Sequence, residues 1–242
     1  MPASWVDMNV AGQPMEGYLT KPEGSDSHPA VVVIQEIWGV NSHIQYVTDR
    51  LPAQGYVGLA PAVFHREGRM TIGLHEETDT AFGWMGNCTD ANIVADVQAA
   101  VDYLKAQSFV QSDRIGIVGF CWGGRGSYLA ACNVSDIKAT VVFYGGRILI
   151  PLGGDGPSPL EQTSKITSPV LGLFGEEDQN PTPADVAQID AELTKQGKTH
   201  EFHMYPGCGH GFHCNGRGSY RPESARDAWA KTIAWFDQHL KA

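Results

Sequence analysis

The segment 119–123, Gly-Phe-Cys-Trp-Gly, holds the residues of this chain that are best placed for chemistry. A cysteine at the centre of such a segment matches a nucleophile elbow, in which a strand turns sharply into a helix. Residues 114–119 before it predict a short buried strand, and the small residues 123–131 after it predict a closely packed helix. The free amides at a helix N-terminus favour the thiolate, which is the reactive form of cysteine. We therefore predict that Cys121 is a nucleophile; the alternative is a buried structural cysteine beside a glycine-rich turn.

A cysteine nucleophile needs a base that takes up and returns a proton, and the base needs an acid that fixes its tautomer. On an elbow of this kind the acid and then the histidine follow the nucleophile along the chain. The loop after the apolar stretch 169–174 carries three carboxylates. We predict Asp178 as the acid, with Glu176 or Glu177 as alternatives, because a charged loop after a strand is often only a solvated turn.

The predicted base is His210, which lies in a glycine-rich loop, 205–212, after the last predicted strand. Its glycine neighbours allow a substrate to approach closely. His203 competes for this role but lies within the strand, and His213 competes but lies just past the loop. Among nine histidines, order and position favour His210.

Composition limits the classes to which the chain can belong. Its 242 residues, 42% of them hydrophobic, fit one α/β domain with a substantial core. The formal net charge of −10 argues against nucleic acid or an anionic membrane as a partner. The longest aliphatic run, 30–34, is too short to cross a bilayer, and no leader pattern is present. Five irregularly spaced cysteines are typical of a reducing compartment, so we expect a cytoplasmic protein.

Strand and helix patterns alternate from about residue 30 onwards. The predicted strands are 30–36, 56–60, 114–119, 137–144, 169–174 and 199–205, and the other predicted helices are 41–54, 90–106, 182–197 and 225–240. Pro52 is expected to distort the first helix. Residues 5–10 and 14–20 predict an antiparallel hairpin. This alternation predicts an α/β fold with a mostly parallel sheet, helices on both faces and a single domain over 1–242.

Two long connections interrupt this alternation, at 61–89 and 145–168. Neither carries a strand or helix pattern that we assign. Loops of this length are often functional, and we expect them to form a lid or a wall of the substrate site.

Four stretches resemble the dienelactone hydrolase family of α/β-hydrolases. They are 35–39 (Gln-Glu-Ile-Trp-Gly), 119–124, 175–178 and 209–212 (Gly-His-Gly-Phe), and they follow one another over nearly the whole chain. The resemblance implies an α/β-hydrolase fold with a sheet of seven or eight strands. It also implies an enzyme that hydrolyses carboxylic esters or lactones without a cofactor.

The resemblance assigns roles to the catalytic candidates. It implies an acyl-enzyme intermediate on Cys121, with Asp178 and His210 completing a triad. It also implies that the glutamate after the third strand, here Glu36, helps to generate the thiolate. The alternative for Glu36 is a strand-end carboxylate in solvent.

The same resemblance points to the residues that surround the reacting carbonyl. The oxyanion hole of the family consists of backbone amides, which correspond here to Ile37 and Trp122. Trp38, in the first of the four stretches, is a candidate substrate contact.

One position departs from the family pattern. Family members that act on dienelactone carry two arginines that clamp the substrate carboxylate, one of them four residues after the catalytic histidine. That position here is Cys214, and the segment 75–92, where the other is expected, contains no arginine or lysine. We therefore expect weaker use of carboxylate-bearing lactones and better use of neutral esters. A clamp rebuilt from other positions is the alternative, and the candidates are Arg217, Arg221, Arg66 and Arg69.

No cofactor or metal is expected. Histidines and cysteines share the C-terminal region, but a catalytic glycine-rich loop explains them better than a metal site does. The pairs considered are His200/His203, His210/His213 and Cys208/Cys214. The glycines within 153–156 lack the strand-to-helix context of a dinucleotide fingerprint.

The expected partner is a small-molecule ester or lactone, and the chain is expected to be a monomer or a small homo-oligomer. Two rival functions use the same residues. One is a thioesterase or acyltransferase that acts through the same thiol. The other is a non-catalytic ligand-binding or redox-sensing protein that keeps the fold and a reactive cysteine.

Overall fold

A computed structural model describes residues 3–68, 71 and 77–241. The described residues form eight strands: β1 (Ser4–Val10), β2 (Gln13–Thr20), β3 (His28–Ile34), β4 (Val57–Pro61), β5 (Val110–Phe120), β6 (Ile137–Phe143), β7 (Val170–Gly175) and β8 (His200–Tyr205). They also form six α-helices: α1 (Ser42–Asp49), α2 (Thr78–Asn87), α3 (Asp90–Lys105), α4 (Trp122–Asn133), α5 (Pro183–Lys195) and α6 (Pro222–Leu240).

The eight strands make one sheet in the order β1-β2-β4-β3-β5-β6-β7-β8. The first two form the expected antiparallel hairpin, and β2 also pairs antiparallel with β4. The remaining neighbours pair in parallel. The predicted α/β fold with a mostly parallel sheet is therefore confirmed, including the upper value of the expected strand number.

Helices cover both faces of this sheet because the central strands are apolar on both faces. Alternate side chains of a strand point to opposite faces. Val32 of β3 packs in one cluster with residues of α3 and α4, whereas its neighbour Val33 packs in a second cluster with residues of α1 and α6. The sheet is thus buried between two helical layers. Among the described residues, no helix combines the length and apolar character that crossing a bilayer requires.

Several regions differ from the sequence prediction, and two of them contain α-helices. The helix expected over 41–54 starts after Asn41, whose side chain accepts from two amides of the first turn, but it ends at Asp49. A short 3₁₀ turn, Pro52–Gln54, follows, because proline cannot continue the α-helical hydrogen bonds. The connection 61–89, predicted without regular structure, contains α2. Two glycines and few buried side chains weaken the helical pattern of α2 in the sequence.

The turn from β5 into α4 brings two backbone segments into direct contact. A methyl group added at Gly119 would overlap the carbonyl of Gly123, and one added at Gly123 would overlap the carbonyl of Gln35. Glycine is required at both positions because the neighbouring atoms belong to the backbone and cannot rotate away. The start of α4 therefore lies against the ends of β3 and β5.

We expect the substitution Gly119→Ala to lower the free energy of unfolding by about 3 kcal/mol or more, because the new methyl group displaces backbone. Gly126→Ala is the matched control, since its methyl group would meet Ile34 and Ile93 at 3.5 Å, an ordinary contact. It should change stability by less than about 1 kcal/mol. Urea unfolding followed by circular dichroism measures both. Equal stabilities of the two variants would contradict the argument.

Candidate active site

Cys121 occupies the single residue between β5 and α4. Its backbone has φ 57° and ψ −120°, a conformation that non-glycine residues rarely adopt. The amide of Cys121 donates to the carbonyl of Phe143 at 3.0 Å, and its own carbonyl accepts from Gly124 at 2.9 Å. These bonds hold the strained residue in place. The thiol is thereby presented at the carboxyl end of the sheet, where loops from several strands meet.

Asp178 and His210 come together at the same edge. The Nδ1 of His210 donates to the Oδ2 of Asp178 at 2.9 Å, and the other carboxylate oxygen accepts from the amide of Asn180 at 2.9 Å. Asp178 is buried, whereas Glu176 and Glu177 are exposed. The carboxylate that contacts the histidine is therefore the one expected, and the alternatives in the same loop make no such contact.

The charge state of His210 follows from its neighbours. Burial alone lowers its pKa, but the negative charge of Cys121 and hydrogen bonds to Asp178 and Cys121 raise the pKa to about 10. The raised pKa favours the protonated imidazole, which has the sulfur on one side and the carboxylate on the other. A cationic histidine in this position can deliver a proton to a leaving group.

The two competing histidines lie elsewhere. The Nε2 of His203 is 2.6 Å from the Oε1 of Glu201 on the edge strand β8. His213 is buried and stacks on Phe120, with ring centroids 5.3 Å apart. Burial lowers its pKa well below the ordinary value, so it stays neutral. Neither ring lines the cavity at Cys121.

That cavity has a volume of about 480 Å³ and is bordered by Cys121, Asp178 and His210. Its other walls are mainly apolar and are formed in part by Ile37, Trp38, Phe82, Met85 and Trp122. Within the described residues, the amides of Ile37 and Trp122 donate no hydrogen bond. Both residues line the cavity with Cys121, so these two amides are the ones available for the oxyanion hole predicted from the sequence.

Glu36 is fully buried directly after β3, so the alternative of a solvent-exposed carboxylate is wrong. Its Oε1 lies 3.4 Å from Nη1 of Arg217. Its Oε2 has no hydrogen-bond partner among the described residues.

Tyr144, with a strained φ of 37°, is also fully buried. Burial and the nearby negative charges of Glu36, Cys214 and Cys121 raise the pKa of its phenol well above the ordinary value.

The four arginines considered for a substrate clamp differ in whether they line the cavity. Arg217 lines the cavity, with its guanidinium 5.2 Å from the ring centroid of Trp38. Arg221 does not line it, because it precedes α6 and its guanidinium binds backbone carbonyls, including that of Gly207. Arg66 forms a two-armed ion pair with the buried Asp96. Arg69 lies outside the described residues.

A further arginine, Arg147, lines the cavity and was missed in the sequence. It follows β6 with φ 60°, and its guanidinium is exposed and has no hydrogen-bond partner among the described residues. Its carbonyl accepts from Nε of the fully buried Arg125, which also pairs with Asp90 on α3. Its position in the sequence, soon after the end of a predicted strand, could have indicated a place at the site. In such sheets the functional loops lie at the carboxyl ends of the strands.

A group of side chains that could hold a metal also differs from the pairs considered in the sequence. Glu36, His43 and Cys214 are buried together, and their ligand atoms all lie within 4.8 Å of one another. These residues come from three separate parts of the chain. Local spacing therefore could not reveal the group.

Comparison with known proteins gives concordant results. The profile of the dienelactone hydrolase family matches residues 15–240. A candidate carboxymethylenebutenolidase of Synechocystis sp. is 38% identical over 227 residues, which are 93% of this chain and 92% of that protein. A candidate 2-oxo-3-(5-oxofuran-2-ylidene)propanoate lactonase of Bradyrhizobium sp. is 32% identical over 98% of this chain and 94% of its own. The crystal structure of a candidate dienelactone hydrolase from Klebsiella pneumoniae superimposes with a TM-score of 0.87 at 30% identity, covering 99% of this chain and 100% of that one.

We expect Cys121 to react with iodoacetamide at neutral pH at least about tenfold faster than any other cysteine. It is partly exposed and faces a cationic histidine, whereas burial raises the pKa of Cys88, Cys132 and Cys214 to about 12. Brief labelling followed by peptide mass spectrometry measures the order of reaction. Labelling of Cys88 or Cys214 at an equal rate would count against an activated thiol at the elbow.

Proposed function

The chain belongs to the dienelactone hydrolase family, whose members hydrolyse lactone and ester bonds, and we propose that it acts through a covalent acyl-enzyme on Cys121. The observation that carries this proposal is the 2.9 Å hydrogen bond between Asp178 and His210, together with the interaction of His210 and Cys121 that raises the pKa of the imidazole. A protonated histidine beside a thiol on a strained elbow has the geometry that nucleophilic catalysis needs.

In the proposed first half-reaction, the sulfur of Cys121 attacks the substrate carbonyl and a C–S bond forms. The carbonyl oxygen becomes an oxyanion that accepts hydrogen bonds from the amides of Ile37 and Trp122. His210 then gives its proton to the leaving oxygen as the C–O bond breaks. In a lactone, this step opens the ring.

In the second half-reaction, the now neutral His210 takes a proton from water. The resulting hydroxide attacks the thioester, the C–S bond breaks, and the acid product leaves. Asp178 stays ionised and keeps the Nδ1 proton of His210 in place, so that Nε2 faces the reacting atoms. Hydrolysis is complete with no group other than those of the chain and water.

We also propose that Glu36 acts before this cycle, by taking up the proton of the Cys121 thiol. Its buried Oε2 is free to accept a hydrogen bond, and Oε1 is held by Arg217.

The charges that line the cavity favour an anionic substrate. Cys214 stands where the family pattern has an arginine, and for that reason the sequence predicted a preference for neutral esters. Arg147 and Arg217 nevertheless line the cavity and supply two positive charges. We therefore propose the alternative of a rebuilt clamp, in which these two arginines bind a substrate carboxylate and Trp38 contacts the ring. The lactone named for the Bradyrhizobium relative is itself a propanoate.

Replacing His210 with alanine should lower kcat by roughly 10²- to 10⁴-fold while preserving the fold, because both the proton donor and the later base are lost. His203→Ala, on the edge strand, is the control and should keep full activity. Steady-state kinetics with an activated ester, together with circular dichroism, measures both outcomes. If His213→Ala were folded and inactive while His210→Ala kept its activity, the assigned histidine would be wrong.

The proposed clamp is tested by comparing a carboxylate-bearing enol lactone with a neutral ester of similar size. The native chain should prefer the anion in kcat/KM. Arg147→Gln should lower that value by roughly 10- to 100-fold for the anion alone, because a charge-assisted contact is lost. Arg217→Gln should lower kcat/KM for both substrates but more strongly for the anion, because it also removes the partner of Glu36.

Arg221→Gln is the matched control, since this arginine caps a helix away from the cavity, and it should leave the preference unchanged. If the unmodified chain preferred the neutral ester, the proposed clamp would be contradicted. The expectation from the sequence, that the absence of the family arginine at Cys214 decides the substrate, would then hold.

A further inference from the structure

Three buried side chains from distant parts of the chain meet behind the catalytic residues. Glu36 follows β3, His43 lies in α1, and Cys214 lies between β8 and α6. Each is at most 3% exposed, and their ligand atoms lie within 4.8 Å of one another. Carboxylate, imidazole and thiolate are the three ligand types that zinc binds in proteins.

Two polar atoms of these three side chains have no hydrogen-bond partner among the described residues. They are Oε2 of Glu36 and Nε2 of His43. The Nδ1 of His43 lies 3.2 Å from the amide oxygen of Asn215, which can only accept, so Nδ1 carries the proton. The Nε2 lone pair is therefore free. A histidine fixed in this way by a second partner is typical of a metal ligand.

Buried polar atoms without partners are rare in native proteins and often mark a missing ion or water. Here two unpartnered acceptors and a thiol share one small space. The donor beside the Glu36 carboxylate is the thiol of Cys214, which donates only weakly, and His43 Nε2 has no hydrogen-bond partner among the described residues. A cation would satisfy both at once.

We propose that Glu36, His43 and Cys214 form a zinc site. The two anionic ligands match the charge of Zn²⁺, and the loss of the Cys214 proton to solvent accompanies binding. Ligand atoms of a tetrahedral zinc with bonds of about 2.0–2.3 Å lie about 3.3–3.8 Å apart. The ligand atoms therefore have to approach one another by about 1.5 Å or less. A water molecule would complete the four ligands.

Binding of zinc would inhibit the enzyme. The ion would occupy Oε2 of Glu36, the acceptor proposed for the Cys121 proton, and would repel the neighbouring Arg217. This inhibition rests on the proposed function, whereas the binding of the metal does not. The two can therefore be tested separately.

The binding test uses the Cys121→Ala variant of the full chain, which removes the catalytic thiol as a ligand. Co²⁺ should produce near-ultraviolet thiolate-to-cobalt absorption at one equivalent, and Zn²⁺ should displace it. Adding Cys214→Ser should abolish the absorption, and adding His43→Asn should weaken zinc binding by more than about tenfold. Cys132→Ser, another buried cysteine, is the control and should change neither.

Circular dichroism without metal identifies any variant that fails to fold, and His43→Asn replaces Cys214→Ser if serine is not tolerated. Tight zinc binding that is lost in Cys121→Ala but kept in Cys214→Ser would place the metal on the catalytic thiol and overturn the proposal. Absence of one-equivalent binding would also overturn it.

Inhibition is measured on the chain with Cys121 intact. Zinc should stop hydrolysis and a chelator should restore it, while Cys214→Ser should keep its own metal-free rate when zinc is added. If zinc binds at the three residues but hydrolysis continues, the zinc site stands and the role proposed for Glu36 is contradicted.

Discussion

The close approach of α4 to the ends of β3 and β5 is the constraint from which the site is built. Backbone carbonyls of one segment contact glycine α-carbons of the other, and no side chain fits between them. Cys121, the residue between the two segments, takes a positive φ of 57° and lines the cavity. The amide of Trp122, at the first turn of α4, has no partner among the described residues. The same turn thus places the thiol at the cavity and leaves an amide available for the proposed oxyanion hole.

Electrostatic interactions with neighbouring groups set the charge of His210. His210 is largely surrounded by protein, and burial opposes its charge, yet the neighbouring sulfur and carboxylate outweigh that cost. The contrast with His213 is informative, because the same residue type three positions later is surrounded by aromatic rings and is held neutral. Proximity in sequence therefore does not decide the charge of a histidine. The charged groups within a few ångströms decide it.

Much of the fold and the central contacts could be predicted from the sequence because they depend on local patterns. Cys121, Asp178 and His210 each follow a strand, and parallel strands bring their carboxyl ends to one edge. Arg221 was misplaced because the sequence does not reveal that its guanidinium caps backbone carbonyls. The sequence did not reveal Arg147 or the group formed by Glu36, His43 and Cys214. The packing of separate loops brings these residues into place, and no short spacing in the sequence marks them. The helix α2 was missed because glycines mask its pattern.

The buried Arg125 has a consequence for how the cavity can change shape. Its guanidinium joins α4 to α3 through Asp90 and to the backbone of the segment that bears Arg147. The nucleophile and this arginine therefore belong to one mechanical unit and cannot move apart without breaking a buried ion pair. The helix α2 lines the same cavity with Phe82, whose side chain is half in solvent. Substitutions that change the size of the accepted substrate, whether natural or engineered, are therefore expected on α2. The wall that Arg125 holds together should stay unchanged.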